Sequence, residues 1–182
     1  LVPTQFPQYL EMLKRAEDKE PLFALYDKMM RYYRFLAGED GSTTAKFKNG
    51  LLTTYDYWYS CSGMDDYPAQ VYMIDRQMMD RICPCISTSQ IIRAAKIMKM
   101  AAIDIDRSTA ALNALAWDEK SGYYSYTVYD KDNNLCAYLR NEQGENMNKG
   151  MDGVYPLVAG AATPERAARL LSHIKNPNEM WS

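Results

Sequence analysis

The chain has 182 residues, with 21 Lys and Arg against 23 Asp and Glu, for a net charge of −2 with histidine neutral. That balance argues against a duplex nucleic-acid binder, which carries a basic excess, and a mixture of 47% hydrophobic and 24% charged residues is globular rather than disordered. A single histidine, His173, excludes multi-histidine zinc sites and leaves any Ser-His or Cys-His triad one candidate, and no apolar run approaches the roughly 18 residues a membrane helix needs.

Residues 5 to 17 read as a short helix, with Phe6, Tyr9, Leu10 and Leu13 on one side. Pro21 suits the first turn of a second helix. That helix is expected to run to Ala37, because Leu22, Leu25, Tyr26, Met29, Met30, Tyr33 and Leu36 recur at three-and-four spacing. Residues 38 to 70 show no dominant period. They hold four glycines and a dense aromatic run of Tyr55, Tyr57, Trp58, Tyr59 and Tyr67. So long a loop is uncommon unless it is functional. Helix is expected again over 71–80, and then from Ser87 or Thr88 to Ala116, with a division near 104–109. Tyr123 to Tyr129 reads as a strand and Leu135 to Leu139 as its hairpin partner. Residues 140 to 153 are polar and contain glycine. Pro164 to Ile174 reads as a last helix, with Thr163 as its cap.

Fifteen tyrosines and twelve methionines stand out. A tyrosine has an apolar face and a polar tip, which suits either a sugar-stacking surface or packing between helices. The cysteines are Cys61, Cys83, Cys85 and Cys136. Their C-x-C spacing is neither a redox nor a zinc motif, so free thiols are the default and no metal site is expected. No signal peptide is visible after Leu1.

Several motif searches fail. The stretch from Gly38 to Thr43 lacks the lysine of a P-loop. Asp130, Asp132 and Asn134 begin like a calcium loop, but Leu135 and Asn141 stand where its glycine and bidentate glutamate belong. Glu142 and Glu145 read as solvated loop glutamates, and His173 as a cation at a helix C-terminus. The strongest signal is Ser62-Gly63-Met64-Asp65-Asp66-Tyr67-Pro68. Adjacent carboxylates repel, so one of them can keep its proton and serve as a general acid. Asp-Asp before Pro is also ordinary turn chemistry.

That segment resembles the S-G-(L/M)-D-(D/N)-x-P signature of glycoside hydrolase family 63. Three further stretches resemble the family in the same order: Gly50-Leu51-Leu52; Trp117-Asp118-Glu119-Lys120-Ser121-Gly122-Tyr123-Tyr124; and Asp152-Gly153-Val154-Tyr155-Pro156-Leu157 with the helix that follows. The resemblance implies a mainly α fold, part of an (α/α)6 six-hairpin toroid with a small β-hairpin and long active-site loops. Residues 1–182 would form a single incomplete catalytic domain, roughly the first half of the toroid. It implies an inverting glycosidase cleaving α-glycosidic, by default α-glucosidic, bonds of oligosaccharides. Asp65 would be the acid, and Asp66, Tyr67, Trp58, Tyr59, Asp152 and Tyr155 would contact the sugar.

The same resemblance places the family's catalytic base in later helices, beyond residue 182. It implies an oligosaccharide or glycoside substrate, the remainder of the same catalytic domain as a partner, no cofactor, no nucleic acid and no membrane. It leans toward a bacterial periplasmic or extracellular setting. The pattern departs where Ala69-Gln70 follow the proline in place of the family's frequent arginine, and where Cys61 stands in place of a glutamate. A non-catalytic carbohydrate-binding helical protein or pseudoenzyme is the alternative reading. Half a toroid would leave apolar helix faces uncovered, so self-association is expected.

Overall fold

The computed structural model describes residues 3–53, 67–98 and 102–179, with the backbone alone over 102–104. The fold is mainly α. Helix α1 (Gln5–Arg15) buries Phe6 and Tyr9. Phe6 stacks on Tyr32 at 5.6 Å between centroids and meets Tyr33 edge-on at 6.4 Å. The expected second helix is broken in two: α2 (Glu20–Phe23) and α3 (Tyr26–Leu36). The break is a tight turn in which the Leu25 N–H bonds back three residues to the Leu22 carbonyl. Periodicity survives such a turn, which is why the apolar stripe did not reveal it.

Helix α4 (Pro68–Asp75) starts earlier than its pattern suggests, with proline in its first turn. It stops before Gln77, a non-glycine residue at φ 53°. A 3₁₀ turn (Met79–Arg81) and a two-residue strand, β1 (Ile82–Cys83), lead into helix α5 (Cys85–Met98). Eleven of its fourteen residues are buried, so α5 is the central helix. Helix α6 (Ala102–Ala111) runs into a π-type turn (Leu112–Ala116). The division expected near 104–109 is absent, since α6 is helical through those residues.

The expected single strand over 123–129 is two. Strand β2 (Trp117–Asp118) pairs with β3 (Tyr123–Tyr124), Trp117 facing Tyr124. Strand β4 (Thr127–Tyr129) pairs on one side with β5 (Leu135–Tyr138), as the hairpin pattern predicts, and on the other with β1, Ile82 facing Val128. Helix α7 (Met151–Val158) begins within the polar, glycine-containing stretch 140–153 and continues despite an internal Pro156. Helix α8 (Pro164–Lys175) is capped as expected, the Thr163 hydroxyl accepting from the Arg166 N–H at 3.4 Å.

Helices α5 and α7 pack side by side and run parallel. At their starts the Cys85 thiol donates to the Asp152 carbonyl at 3.1 Å. At their far ends the Lys96 ammonium donates to the Ala159 and Gly160 carbonyls at 2.8 and 2.9 Å, a cation suited to a helix C-terminus. Helix α3 runs opposite to α5, since the Tyr26 hydroxyl donates to the Met98 carbonyl while the chain beyond α3 returns its Leu52 N–H to Thr88 near the start of α5. Two buried apolar clusters result, one around Phe6, Tyr33 and Ile91 and the larger around Ile86, Leu112 and Tyr124. Tyr123, Tyr124, Tyr126 and Tyr129 are fully buried, so much of the tyrosine surplus is core. Large apolar side chains remain exposed on the first and last hairpins: Met12, Phe23, Leu25 and Tyr26, and then Met151, Val158 and Leu171. Among the described residues no helix is long and apolar enough to cross a membrane.

Candidate functional site

The parallel starts of α5 and α7 gather the polar groups that the sequence points to. Asp152 lies in the first turn of α7 and has no exposed surface. One carboxyl oxygen, Oδ2, accepts from the Tyr126 hydroxyl. The other, Oδ1, is buried without a hydrogen-bond partner among the described residues. Burial pushes its pKa up to about 7, against which the Tyr126 bond works in the lowering direction. A buried carboxyl with no cation keeps its proton because the charged form would be poorly solvated.

Beside it stands Tyr67, the sixth residue of the signature segment. Its hydroxyl donates to Asn148 Oδ1 at 2.7 Å. Burial first, and the nearby Asp152 second, hold the Tyr67 phenol well above its ordinary pKa. Asn148 uses its amide nitrogen on the Tyr124 carbonyl at 2.8 Å and on Cys85 Sγ at 3.1 Å. Its own backbone N–H is held by Asn146 Oδ1 at 2.8 Å. Gly150 makes room for this arrangement: a Cβ there would come within 3.0 Å of the Tyr67 hydroxyl. Gly153 has less freedom still, because its Cβ would lie 2.1 Å from the Asn148 carbonyl. Burial also keeps the Cys85 and Tyr126 pKa values well above the usual range, so both are neutral.

The structure thus brings together Tyr67 and Asp152. Tyr155, one turn further along α7, accepts from Arg93 Nη1 at 3.1 Å. It lines a separate small cavity of about 50 Å³ with Pro3, Phe6, Gln90 and Arg93. That volume suits a water or two. Sequence reasoning suggests a sugar contact at Asp152, but its carboxyl is enclosed by protein. Trp58, Tyr59, Asp65 and Asp66 lie outside the described residues.

The W-D-x-x-S-G stretch forms a scaffold next door. Asp118 is 2% exposed and pairs with Arg140 at 2.8 Å while accepting from the Asn146 amide at 3.2 Å. Asn146 then joins this pair to Asn148. Trp117 packs edge-on against Tyr124 at 5.0 Å, with the Arg166 guanidinium 5.0 Å from its ring. Gly122 turns at φ 75°, where a Cβ would strike Arg169. Asn146, Asn148, Tyr126 and Cys85 were not read as site residues. Asparagines in a polar loop and a lone cysteine carry no pattern that separates partners from surface.

The loop residues set aside are peripheral. Glu142 is 75% exposed and pairs with Arg76 at 2.9 Å. Glu145 is bonded to Asn141 and Lys149. Asp130 closes its own turn, accepting from the Asp132 and Asn134 N–H groups at 2.9 and 2.8 Å. His173 at the end of α8 faces Glu179 at 2.5 Å. Cys83, Cys85 and Cys136 are free thiols. Among the described residues no cluster of three His, Cys, Asp or Glu side chains could hold a metal.

This architecture has solved counterparts. A GH63 mannosylglycerate hydrolase from Thermus thermophilus in complex with glucose matches at TM-score 0.64 and 19% identity, over 96% of this chain and 50% of that one. Over its length the chain shares the fold of about half of that structure. A GH63 mannosylglycerate hydrolase from the same organism in complex with Tris and D-glycerate matches at TM-score 0.65 and 17% identity, over 96% of this chain and 54% of its own. An uncharacterized conserved protein from that organism matches at TM-score 0.66 and 18% identity, over 98% and 55%. The chain therefore spans about half the length of the structures it matches, as a mainly α, partial toroid. No family model and no curated protein matches it.

Proposed function

We propose that this chain is the acid-bearing half of an inverting glycoside hydrolase of GH63 type, with Asp65 as general acid. The observation that carries the reading is the Ser62–Pro68 signature within a chain of this fold. Asp65 is two residues from Tyr67, a reach of at most about 7 Å between Cα atoms. Tyr67 in turn is held at the common start of α5 and α7. The substrate is an α-linked oligosaccharide, with a glucoside as the default, and the glucose and glycerate named for the neighbours support a carbohydrate ligand.

Asp65 protonates the glycosidic oxygen as its bond to the anomeric carbon breaks. Water attacks from the opposite face and gives up its proton to a second carboxylate. In inverting enzymes the two carboxyls stand about 6.5–9.5 Å apart to admit that water. The resemblance assigns that second carboxylate to helices following those of residues 1–182, within a complete (α/α)6 toroid. Asp66, Tyr67, Trp58 and Tyr59 then orient the sugar.

The stereochemical test is direct. The full-length protein is mixed with α-glucosides and α-mannosides, and the first-formed anomer is read by proton NMR. A β-anomer supports inversion. An α-anomer contradicts it, and binding without turnover on every substrate would favour a carbohydrate-binding protein instead.

A further inference from the structure

We propose that Asp152 is a positioning residue: its buried carboxyl, tied to Tyr126, sets the place of the Tyr67 hydroxyl and through it the exit of the signature segment. The inference rests on the glycosidase reading and extends it. Asp152 is linked to Tyr67 through Cys85 and Asn148. Its carbonyl accepts from the Cys85 thiol at 3.1 Å, and the same sulfur accepts from the Asn148 amide. Asn148 Oδ1 in turn accepts from the Tyr67 hydroxyl at 2.7 Å. The side chain anchors the whole turn by accepting from Tyr126. Gly150 and Gly153 leave the turn no slack.

Among the described residues, the groups facing the carboxyl are the hydroxyls of Tyr126 and Tyr67 and the thiol of Cys85, with the Tyr123 ring packed against Gly153 behind it. All are neutral, and no lysine or arginine bonds to Asp152 among the described residues. The neutral acid therefore fits its surroundings. Its anion is opposed by an enclosure that offers one hydroxyl and leaves Oδ1 bare. The titration near pH 7 places the change within reach of experiment. Loss of the proton strains the turn that holds Tyr67.

Hydrogen exchange of a peptide covering residues 67–75, corrected for intrinsic rates, tests this in the full-length protein. In the parent its protection falls about tenfold between pH 6 and pH 8. In Asp152→Asn, which is neutral throughout, protection holds constant over that range. In Tyr67→Phe, which keeps the ring but loses the hydroxyl, protection is low at both values. Should Asp152→Asn fail to fold, the parent and Tyr67→Phe still decide the matter. A parent whose protection does not change with pH, or a Tyr67→Phe variant that exchanges like the parent, overturns the proposal. Where Asp152→Asn folds, a protection that falls as in the parent does so too. Exchange as expected in a protein that hydrolyses no glycoside would instead sink only the glycosidase reading.

Discussion

Two buried aspartates, one in each of two neighbouring motifs, have opposite surroundings. Asp118 sits under the β2–β3 hairpin with a guanidinium at 2.8 Å and an asparagine amide beside it. Asp152 sits at the start of α7 with one tyrosine hydroxyl and, among the described residues, no cation. The first is an ionic rivet of the scaffold. The second is a carboxyl that burial disposes to keep its proton, close to Tyr67 of the signature. Burial alone does not tell a reader what a carboxylate does; the partner does.

Variants can break this contrast, and the largest effect concerns Gly153, next to Asp152 in the first turn of α7. Gly153→Ala forces a Cβ to 2.1 Å from the Asn148 carbonyl, and so should abolish folding or cost several kcal/mol, on the order of the overpacking extremes. Circular dichroism melts would show it. Asp118→Ala leaves Arg140 half-enclosed without its anion and should cost about 3 kcal/mol, read from urea unfolding. Equal stability in that variant would reduce the pair to decoration.

The pH dependence separates the two sites further. Asp152 has a folded pKa of about 7 against an ordinary value of 3.8. The folded state therefore holds the proton over a range where the unfolded chain has released it. Its contribution is full below about pH 4 and is lost as pH rises through 7, a fall of a few kcal/mol at most. Asp152→Asn should flatten that slope and be relatively more stable at pH 8 than at pH 5. An unchanged slope in chemical denaturation series would contradict the assignment. The smallest effect is expected at the rim, where Glu142→Ala removes an exposed pair with Arg76. It should change stability by about 0.5 kcal/mol or less.

How far these features could be read from sequence follows physical lines. The helices α1, α3, α5 and α8 announce themselves by apolar spacing, and Thr163-Pro164 marks a cap. Helix α7 does not, because Gly153 and Pro156 argue for a loop; packing against α5 overrides them. Strand β1 is two residues long, too short for any period to show, and its pairing with β4 is long-range. At the site, the resemblance singles out Tyr67 and Asp152, which the fold brings together. It does not say that Asp152 is enclosed rather than facing a cleft, since enclosure depends on Tyr126 and Cys85 arriving from other elements.

Asp65 is proposed as the acid of a glycosidase. The most direct measurement is kcat/KM of the full-length protein and of Asp65→Asn on an unactivated α-glucoside. The account predicts a loss of 10³-fold or more with an unchanged melting temperature, on the order of what removal of an essential proton donor costs. Near-parent turnover in Asp65→Asn would contradict it.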